Sequence, residues 1–415
     1  MSAQRPAPLI LLACLFAGLM LGGLRSPWLW MSASAVIWSL ALWKPEALSL
    51  DSIKLWGAWL AWALLSLCVC DQPWKGLYSL ARWLTLVAFF GLALSYWREK
   101  HATLWFWGLS IVAPVLALAA FFIRSPQGTL IGLIPPYYNY TMFIEAAFIA
   151  AGAAALWHPG GPQGRRRWLL TAAILLALAI IVLARSRSAL WAVSAAMALL
   201  AFKQPPATYN RWRLLLVGLA GAAVLLLMPE SWWIRWMKLD MVQWFTRPQI
   251  WNSAWQVAGD SPLWGEGIGN FEQGFLRHNF PKSWAVAYGF SADHAHSEPL
   301  EVLAETGWPG LALFMAALWA GARVTRKAWS NKLDFAPAAA AAALTAMAAQ
   351  CLVDNMLQLP ALGLLFFSAL ACVAVGDSPA RLPSASARIA GRALATLGLG
   401  LSLLGVASNL LLAHF

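Results

Sequence analysis

The sequence predicts an all-α polytopic integral membrane protein with about 12–13 transmembrane helices. Hydrophobic residues make up 61% of the 415 residues and charged residues only 11%, whereas about a quarter of a soluble domain is charged. The apolar runs lack the alternation of polar and apolar residues that strands show, which favours helices over a barrel. One long polar stretch interrupts the runs, and we expect it to form a single large loop outside the membrane.

About thirteen apolar runs are long enough to cross a bilayer, although several are short. They cover roughly residues 8–24, 27–43, 53–70, 77–97, 102–123, 141–157, 168–184, 188–202, 212–228, 309–324, 337–357, 360–376 and 392–412. If the runs alternate in direction, basic clusters such as Arg165 to Arg167 fall on one side, which the positive-inside rule makes cytoplasmic. We therefore predict N-terminal helices at 1–228, a large periplasmic loop at 229–308 and C-terminal helices at 309–415.

The net charge of +12 would suggest nucleic acid as a partner for a soluble protein. In a membrane protein such a charge more often reflects basic cytoplasmic loops, so we expect membrane lipids and no nucleic acid as partners. Five cysteines lie in or at the ends of apolar runs and have no neighbouring metal ligands. They are typical of small core residues, and no metal site is predicted.

The stretch 293–311 brings together more titratable side chains than any other part of the chain. Pro299 suits the first turn of a helix and Gly307 suits its end, so we expect a short helix between them. His296 would precede that helix and point into a cavity. The three glutamates of the helix are spaced by three and four residues, so they share one face; they are Glu298, Glu301 and Glu305. Glu298 or Asp293 could orient the imidazole or simply be solvated or capping groups.

Three more motifs precede this stretch. Arg247 and Trp251 form an Arg-x-x-x-Trp pattern, and residues 262–271 form a Pro-x-x-Gly-x-Gly-x-x-x-Phe turn. Arg185 and Arg187 interrupt two apolar runs at the predicted outer face. Arginine at membrane depth is costly and normally lines a polar cavity or binds an anion, although snorkelling to the interface is the alternative.

Together these motifs resemble the O-antigen ligase and O-antigen polymerase superfamily, which includes bacterial protein O-oligosaccharyltransferases. Its signature is a histidine and a small polar residue, then nine residues, then Gly-x-x-Gly, as in His296-Ser297 and Gly307 to Gly310. The other motifs occur in the family's order, with Arg187 aligned to the arginine of a Ser-Arg-small motif. The resemblance implies an inverting, metal-independent integral-membrane glycosyltransferase in the bacterial inner membrane, with its active site facing the periplasm and no cofactor.

The residue types suit transfer from an undecaprenyl-diphosphate-linked glycan donor. Arg187 and Arg247 would stabilise charge that develops on the diphosphate. His296 would accept the proton of the acceptor hydroxyl; His294 competes for this role, but the spacing to Gly307 favours His296. The predicted substrate-binding residues are Arg185, Arg82, His294, Glu298, Gly307 and Gly310.

The acceptor divides the possible functions. An O-antigen ligase would use a sugar of the lipid A core and is our leading hypothesis. A polymerase would use another lipid-linked glycan, and a protein transferase would use a Ser or Thr hydroxyl. A transporter for an anionic lipid or solute is the alternative of a different class, although the internal repeats frequent in transporters are absent.

Two groups of residues remain ambiguous in the sequence. The tryptophans of the loop could anchor amphipathic helices at the membrane interface or stack against sugar rings. Asp354, Asn355 and Gln358 lie just before Pro360, at the predicted outer end of a span. They could support the site or simply be polar loop residues.

Overall fold

The computed structural model describes residues 6–49, 53–122, 138–184, 186–203, 246–279, 291–328, 335–374 and 385–412. Within these ranges the chain forms helices and no strands, which confirms the all-α prediction. The helices before the predicted loop are α1 (Ala7–Met20), α2 (Pro27–Trp43), α3 (Lys54–Ser66), α4 (Pro73–Tyr96), α5 (Glu99–Phe122), α6 (Tyr138–Trp157), α7 (Gly164–Leu183) and α8 (Arg187–Lys203). Those that follow are α9 (Thr246–Asp260), α10 (Phe271–Arg277), α11 (Glu298–Ala328), α12 (Phe335–Cys351), α13 (Pro360–Ala374) and α14 (Ala385–Leu412).

Six helices in the described ranges are long and apolar enough to cross a membrane: α4, α5, α6, α7, α11 and α14. Shorter apolar helices accompany them, namely α1, α3, α8, α12 and α13. The chain is therefore a multi-pass membrane protein. The count of twelve or thirteen spans and the three-part division stay predictions, since the run at 212–228 lies outside the described residues.

Aromatic packing fixes the helices that carry the motifs. Helix α11 packs along α3, and α13 packs against α4 and α12. At their junction the ring centroids of Trp59 and Trp83 are 4.8 Å apart, and those of Trp56 and Phe367 are 4.9 Å apart, both in edge-on contact. Such contacts add to the free energy of burying large rings. The aromatic core thus forms a fixed base for the polar residues at one end of these helices.

Helix α11 contains a break that the sequence predicted. It begins at Glu298, and at Gly307 the backbone leaves the helical conformation, with φ 69° and ψ −175°. The helix then resumes, with Pro309 in the first turn of its second part. The break at Gly307 and the position of His296 just before the helix agree with the prediction, whereas the loop expected after Gly307 is not formed, because the helix resumes directly.

A small second core supports the segment that carries His296. It is formed by buried apolar side chains of α9, α10, α11 and the 291–297 segment: Ile250, Ala254, Val257, Phe271, Phe275, Ala292, Ala295 and Ala304. The glycine turn at 262–271 is fixed to α3, because the ring of Trp264 stacks on Trp62 with centroids 4.6 Å apart. The three motifs of the predicted loop therefore pack together on the end of the helical bundle.

Candidate active site

His296 lies at the centre of the site. Its backbone φ of 52° is in the left-handed region, which non-glycine residues seldom adopt. The Trp251 indole N–H donates to the His296 carbonyl at 3.2 Å, so Trp251 has a structural contact here. The imidazole Nδ1 lies 3.4 Å from Asp354 Oδ1, and 37% of the His296 side chain is exposed. Catalytic hydrogen bonds of this length often tighten when substrate binds.

Asp354 contacts side chains that belong to three of the motifs. Its side chain is 1% exposed and lies between α12 and α13. Arg247 Nη2 lies 3.1 Å from Oδ2, and Ser188 Oγ donates to the same oxygen at 3.4 Å. Burial raises the pKa of Asp354, but the contacts with His296, Arg247 and the Asn355 N–H outweigh burial and lower the pKa below its usual value. Asp354 is thus held as a carboxylate beside both His296 and Arg247.

This carboxylate orients the imidazole of His296. When Nδ1 donates to Asp354, the imidazole Nε2 is left as a proton acceptor. Asp354, and not Glu298 or Asp293, is therefore the carboxylate that faces the His296 imidazole. Asp293 is exposed, and Glu298 is buried with a different partner.

Arg247 is fixed at the same carboxylate. Its Nη1 donates to the Val353 carbonyl at 2.9 Å while Nη2 contacts Asp354. The side chain is 34% exposed. A guanidinium has five N–H donors, so this geometry holds Arg247 in place and leaves donor capacity for an anion.

Arg187 begins helix α8 and is half-buried. The next residue, Ser188, donates to Asp354 and accepts from Gln350 Nε2 at 3.4 Å. The start of α8 is therefore close to the carboxylate that His296 and Arg247 share. Arg185 lies outside the described residues, and its predicted role stays a prediction.

Arg82 and Glu298 hold the turn that follows Asp354. Arg82 is buried and donates to the Gln358 carbonyl at 2.9 Å and to the Gln358 side-chain oxygen. Glu298 Oε1 accepts the Leu357 N–H at 2.6 Å. Both residues thus fix the Met356–Gln358 turn from α4 and α11. Their contact with substrate stays a prediction.

His294 faces a different carboxylate from His296. Its Nδ1 lies 2.8 Å from Glu301 Oε1. Burial lowers the pKa of His294, but the carboxylates of Glu301 and Glu305 outweigh burial and raise the pKa to about 9. A histidine that is already protonated at neutral pH is a poor general base. The structure therefore favours His296 over His294 as the base.

The glycines of the signature allow two segments to meet closely. A Cβ at Gly307 would meet the backbone of Pro262 and Leu263, and the Trp308 N–H donates to the Pro262 carbonyl at 2.9 Å. A Cβ at Gly310 would meet the side chain of Thr306. These contacts give both glycines a packing role, and their predicted contact with substrate stays a prediction.

Replacing Gly307 by alanine is expected to destabilise the fold by at least about 1–3 kcal/mol. The reason is that the φ and ψ of Gly307 belong to a region essentially restricted to glycine. Thermal unfolding in detergent would measure the loss. Gly259→Ala is the matched control, since Gly259 lies inside α9 with open space around it and alanine favours helices by about 1 kcal/mol. Equal stability of both variants would contradict the role of Gly307.

An apolar cavity of about 600 Å³ lies between α11, α12 and α13. Glu298 is the charged residue of its lining, and its Oε2 has no hydrogen-bond partner among the described residues. Cys351 and Leu352 also line it, close in sequence to Asp354. Leu352 and Leu357, which flank Asp354 in the sequence, thus border the cavity.

The described residues contain no group of three or more His, Cys, Asp or Glu side chains that could hold a metal ion. The charged groups at the site are instead paired with one another. The arrangement can take up a proton at His296 and hold an anion near Arg247.

Comparison with protein families gives a match over part of the chain. A family model described as O-antigen ligase matches residues 172–315. The matched segment contains Arg187, Arg247 and His296, whereas Asp354 lies beyond it. No curated protein matches the chain. The family match confirms the resemblance drawn from the motifs over residues 172–315, which are similar to the O-antigen ligase family, a family of glycosyltransferase-like ligases and polymerases.

Proposed function

We propose that this protein is an O-antigen ligase of the bacterial inner membrane. It transfers a glycan from undecaprenyl diphosphate to a hydroxyl of the lipid A core oligosaccharide at the periplasmic face. The observation that carries the proposal is the contact of both His296 and Arg247 with the buried carboxylate of Asp354. One carboxylate thereby fixes a proton acceptor beside a cation.

The proton step uses His296. Its Nε2 takes the proton of the acceptor hydroxyl as the hydroxyl oxygen attacks the anomeric carbon of the donor. Asp354 stabilises the imidazolium that forms, in the manner of a base and its orienting acid. A positioned base of this kind contributes about 10²–10⁴-fold to a rate.

The leaving group is the lipid diphosphate. As the bond from the anomeric carbon to the phosphate oxygen breaks, the electron pair stays on the diphosphate, and a single displacement inverts the anomeric centre. Arg247 and Arg187 bind that developing charge. A preorganised donor at such a position is worth about 2.7–4 kcal/mol of transition-state stabilisation.

The apolar cavity is evidence in favour of a lipid-linked donor. Its lining on α11, α12 and α13 suits a hydrocarbon chain, and Leu352 and Leu357 on either side of Asp354 belong to that lining. A donor whose lipid entered this cavity would keep its diphosphate near Arg247. The cavity favours a membrane lipid over a water-soluble nucleotide sugar as the carrier of the glycan.

The polymerase and the protein transferase share this chemistry and differ in acceptor. The test is an assay with purified protein, an undecaprenyl-diphosphate-linked oligosaccharide and EDTA, in which rough lipopolysaccharide, a Ser- and Thr-containing acceptor protein and the donor alone are offered separately. We expect one lipopolysaccharide species of increased mass. A ladder of lengthened donor would instead establish a polymerase, and a glycosylated protein would establish the protein transferase. If the protein, reconstituted in vesicles, moved the donor across the vesicle membrane and formed no glycosidic bond, the protein would be a transporter.

A further inference from the structure

The carboxylate of Glu301 holds the two residues that immediately precede His296. Glu301 lies in the first turn of α11 and is 1% exposed. Its Oε1 contacts His294 Nδ1 at 2.8 Å, and its Oε2 accepts the Ala295 N–H at 3.0 Å. Its own N–H donates to the Ser297 carbonyl at 2.9 Å. Glu301 thus contacts the chain on both sides of His296. The two side-chain contacts, with His294 and Ala295, are called the Glu301 clamp below.

The clamp matters because His296 has an unfavourable backbone conformation. A left-handed φ costs about 1–2 kcal/mol for a residue with a Cβ, and such strain persists only where the surroundings fix it. Trp251 fixes the carbonyl of His296 from α9, and Glu301 fixes the preceding residues from α11. If the clamp were released, the backbone would relax to an ordinary φ and move the imidazole away from Asp354.

The charges around His294 suit an ion pair with Glu301. The groups that face His294 come from three helices: Glu298, Glu301 and Glu305 on α11, Glu272 on α10, and Arg82 on α4. The carboxylates outnumber the single arginine, so the surroundings favour the imidazolium. The pair then ties the loop to α11 through a charge-assisted hydrogen bond, which is about twice as strong as a neutral one.

We propose that Glu301 is a positioning residue for the transfer reaction: with His294 as its partner, it holds the loop that directs His296 toward Asp354. The effect on turnover rests on the proposed function, whereas the clamp itself is a property of the loop. The two neighbouring histidines then have separate tasks. His296 handles the proton of the acceptor, and His294 anchors the segment that carries it.

The first test measures the clamp without any transfer assay. Hydrogen exchange followed by mass spectrometry should show about tenfold or faster exchange at residues 294–297 in Glu301→Ala, because the Ala295 N–H loses its acceptor. Glu301→Gln keeps an oxygen for that N–H and should exchange more slowly than Glu301→Ala. The matched control is Asp260→Asn, which neutralises a carboxylate that contacts a different histidine, His278, and should leave exchange at 294–297 unchanged. Wild-type exchange in Glu301→Ala would overturn the clamp, whether or not the wild type transfers glycan.

The second test measures the consequence for His296. In Glu301→Ala we expect kcat to fall by about 10-fold or more, with KM for the lipid-linked donor within about 3-fold of wild type. The kcat is calculated per molecule of purified protein that still binds the donor. Glu301→Gln should recover part of this loss. In a His296→Ala background the same Glu301→Ala change should have no further effect, because its target is already gone. A wild-type kcat in Glu301→Ala, or an equal loss in both backgrounds, would overturn the positioning role.

Discussion

Replacement of His296 by alanine is expected to lower glycan transfer by about 10²–10⁴-fold while donor binding persists. The imidazole is the group placed to take the acceptor proton, and loss of a general base costs about this much. The donor contacts proposed for Arg187 and Arg247 are untouched by the change. Transfer kinetics and binding of the lipid-linked donor, measured on the same preparation, would separate the two effects.

His278→Ala is the matched control for this variant. His278 belongs to the same predicted loop and contacts Asp260 at 2.6 Å, whereas His296 contacts Asp354. We expect its transfer rate to stay within about 2-fold of wild type, as is usual for substitutions away from special features. Full activity in His296→Ala would contradict the assignment of the base.

Asp354→Asn is expected to lower transfer by roughly 10⁴-fold, the loss known for a carboxylate that orients a histidine base. The neutral amide would present one N–H₂ group where the carboxylate now accepts from both His296 and Arg247. Either the imidazole or the guanidinium would therefore lose its acceptor. Measured kcat should fall even if donor binding is retained.

The exposed carboxylate of Asp260 provides the control, because Asp260→Asn also removes a contact with a histidine without affecting Asp354. The pH dependence gives a second readout. The pKa of Asp354 is lowered in the folded protein, so its stabilising contribution is present above the unfolded-state pKa of about 3.9 and is lost as pH falls through the folded-state value. Wild type should therefore lose its stability advantage over Asp354→Asn below about pH 4. A wild-type advantage that grows as pH falls below about 4 would contradict the lowered pKa, since it would require a folded-state pKa above the unfolded one.

The fold class and the core of the site could be predicted from the sequence. Composition alone indicates membrane helices, because the share of charged residues in a soluble domain would be about twice as large. His296, Arg187 and Arg247 belong to local motifs whose spacing is visible in the chain. The helix start at Glu298 and the break at Gly307 follow from the positional preferences of proline and glycine.

Asp354 shows where sequence reasoning stopped. It follows His296 by 58 residues and belongs to no motif, so only the fold of α12 and α13 brings the two together. The polar group just before Pro360 was the one available signal, and it could equally have been loop polarity. Similarly, the spacing placed Glu298, Glu301 and Glu305 on one face. It could not assign them separate partners, which are Leu357, His294 and Phe271.

The tryptophans illustrate a second limit. Their positions in the sequence are compatible with both interfacial anchoring and sugar stacking. Among the described residues, Trp251 bonds to the His296 carbonyl, Trp264 stacks on Trp62, and the Trp255 ring contacts that of Trp308. These contacts hold the segments of the predicted loop together, a use that composition cannot indicate because it depends on which elements meet.

The proposed reaction forms a glycosidic bond and releases a lipid diphosphate. The most direct test is mass spectrometry of a single-turnover reaction containing purified protein, undecaprenyl-diphosphate-linked oligosaccharide and rough lipopolysaccharide, with the configuration of the new linkage determined by NMR. We predict one undecaprenyl diphosphate released for each glycan added to the lipid A core, with inversion at the anomeric carbon. A retained configuration, or release of undecaprenyl diphosphate without any glycosylated acceptor, would contradict the account.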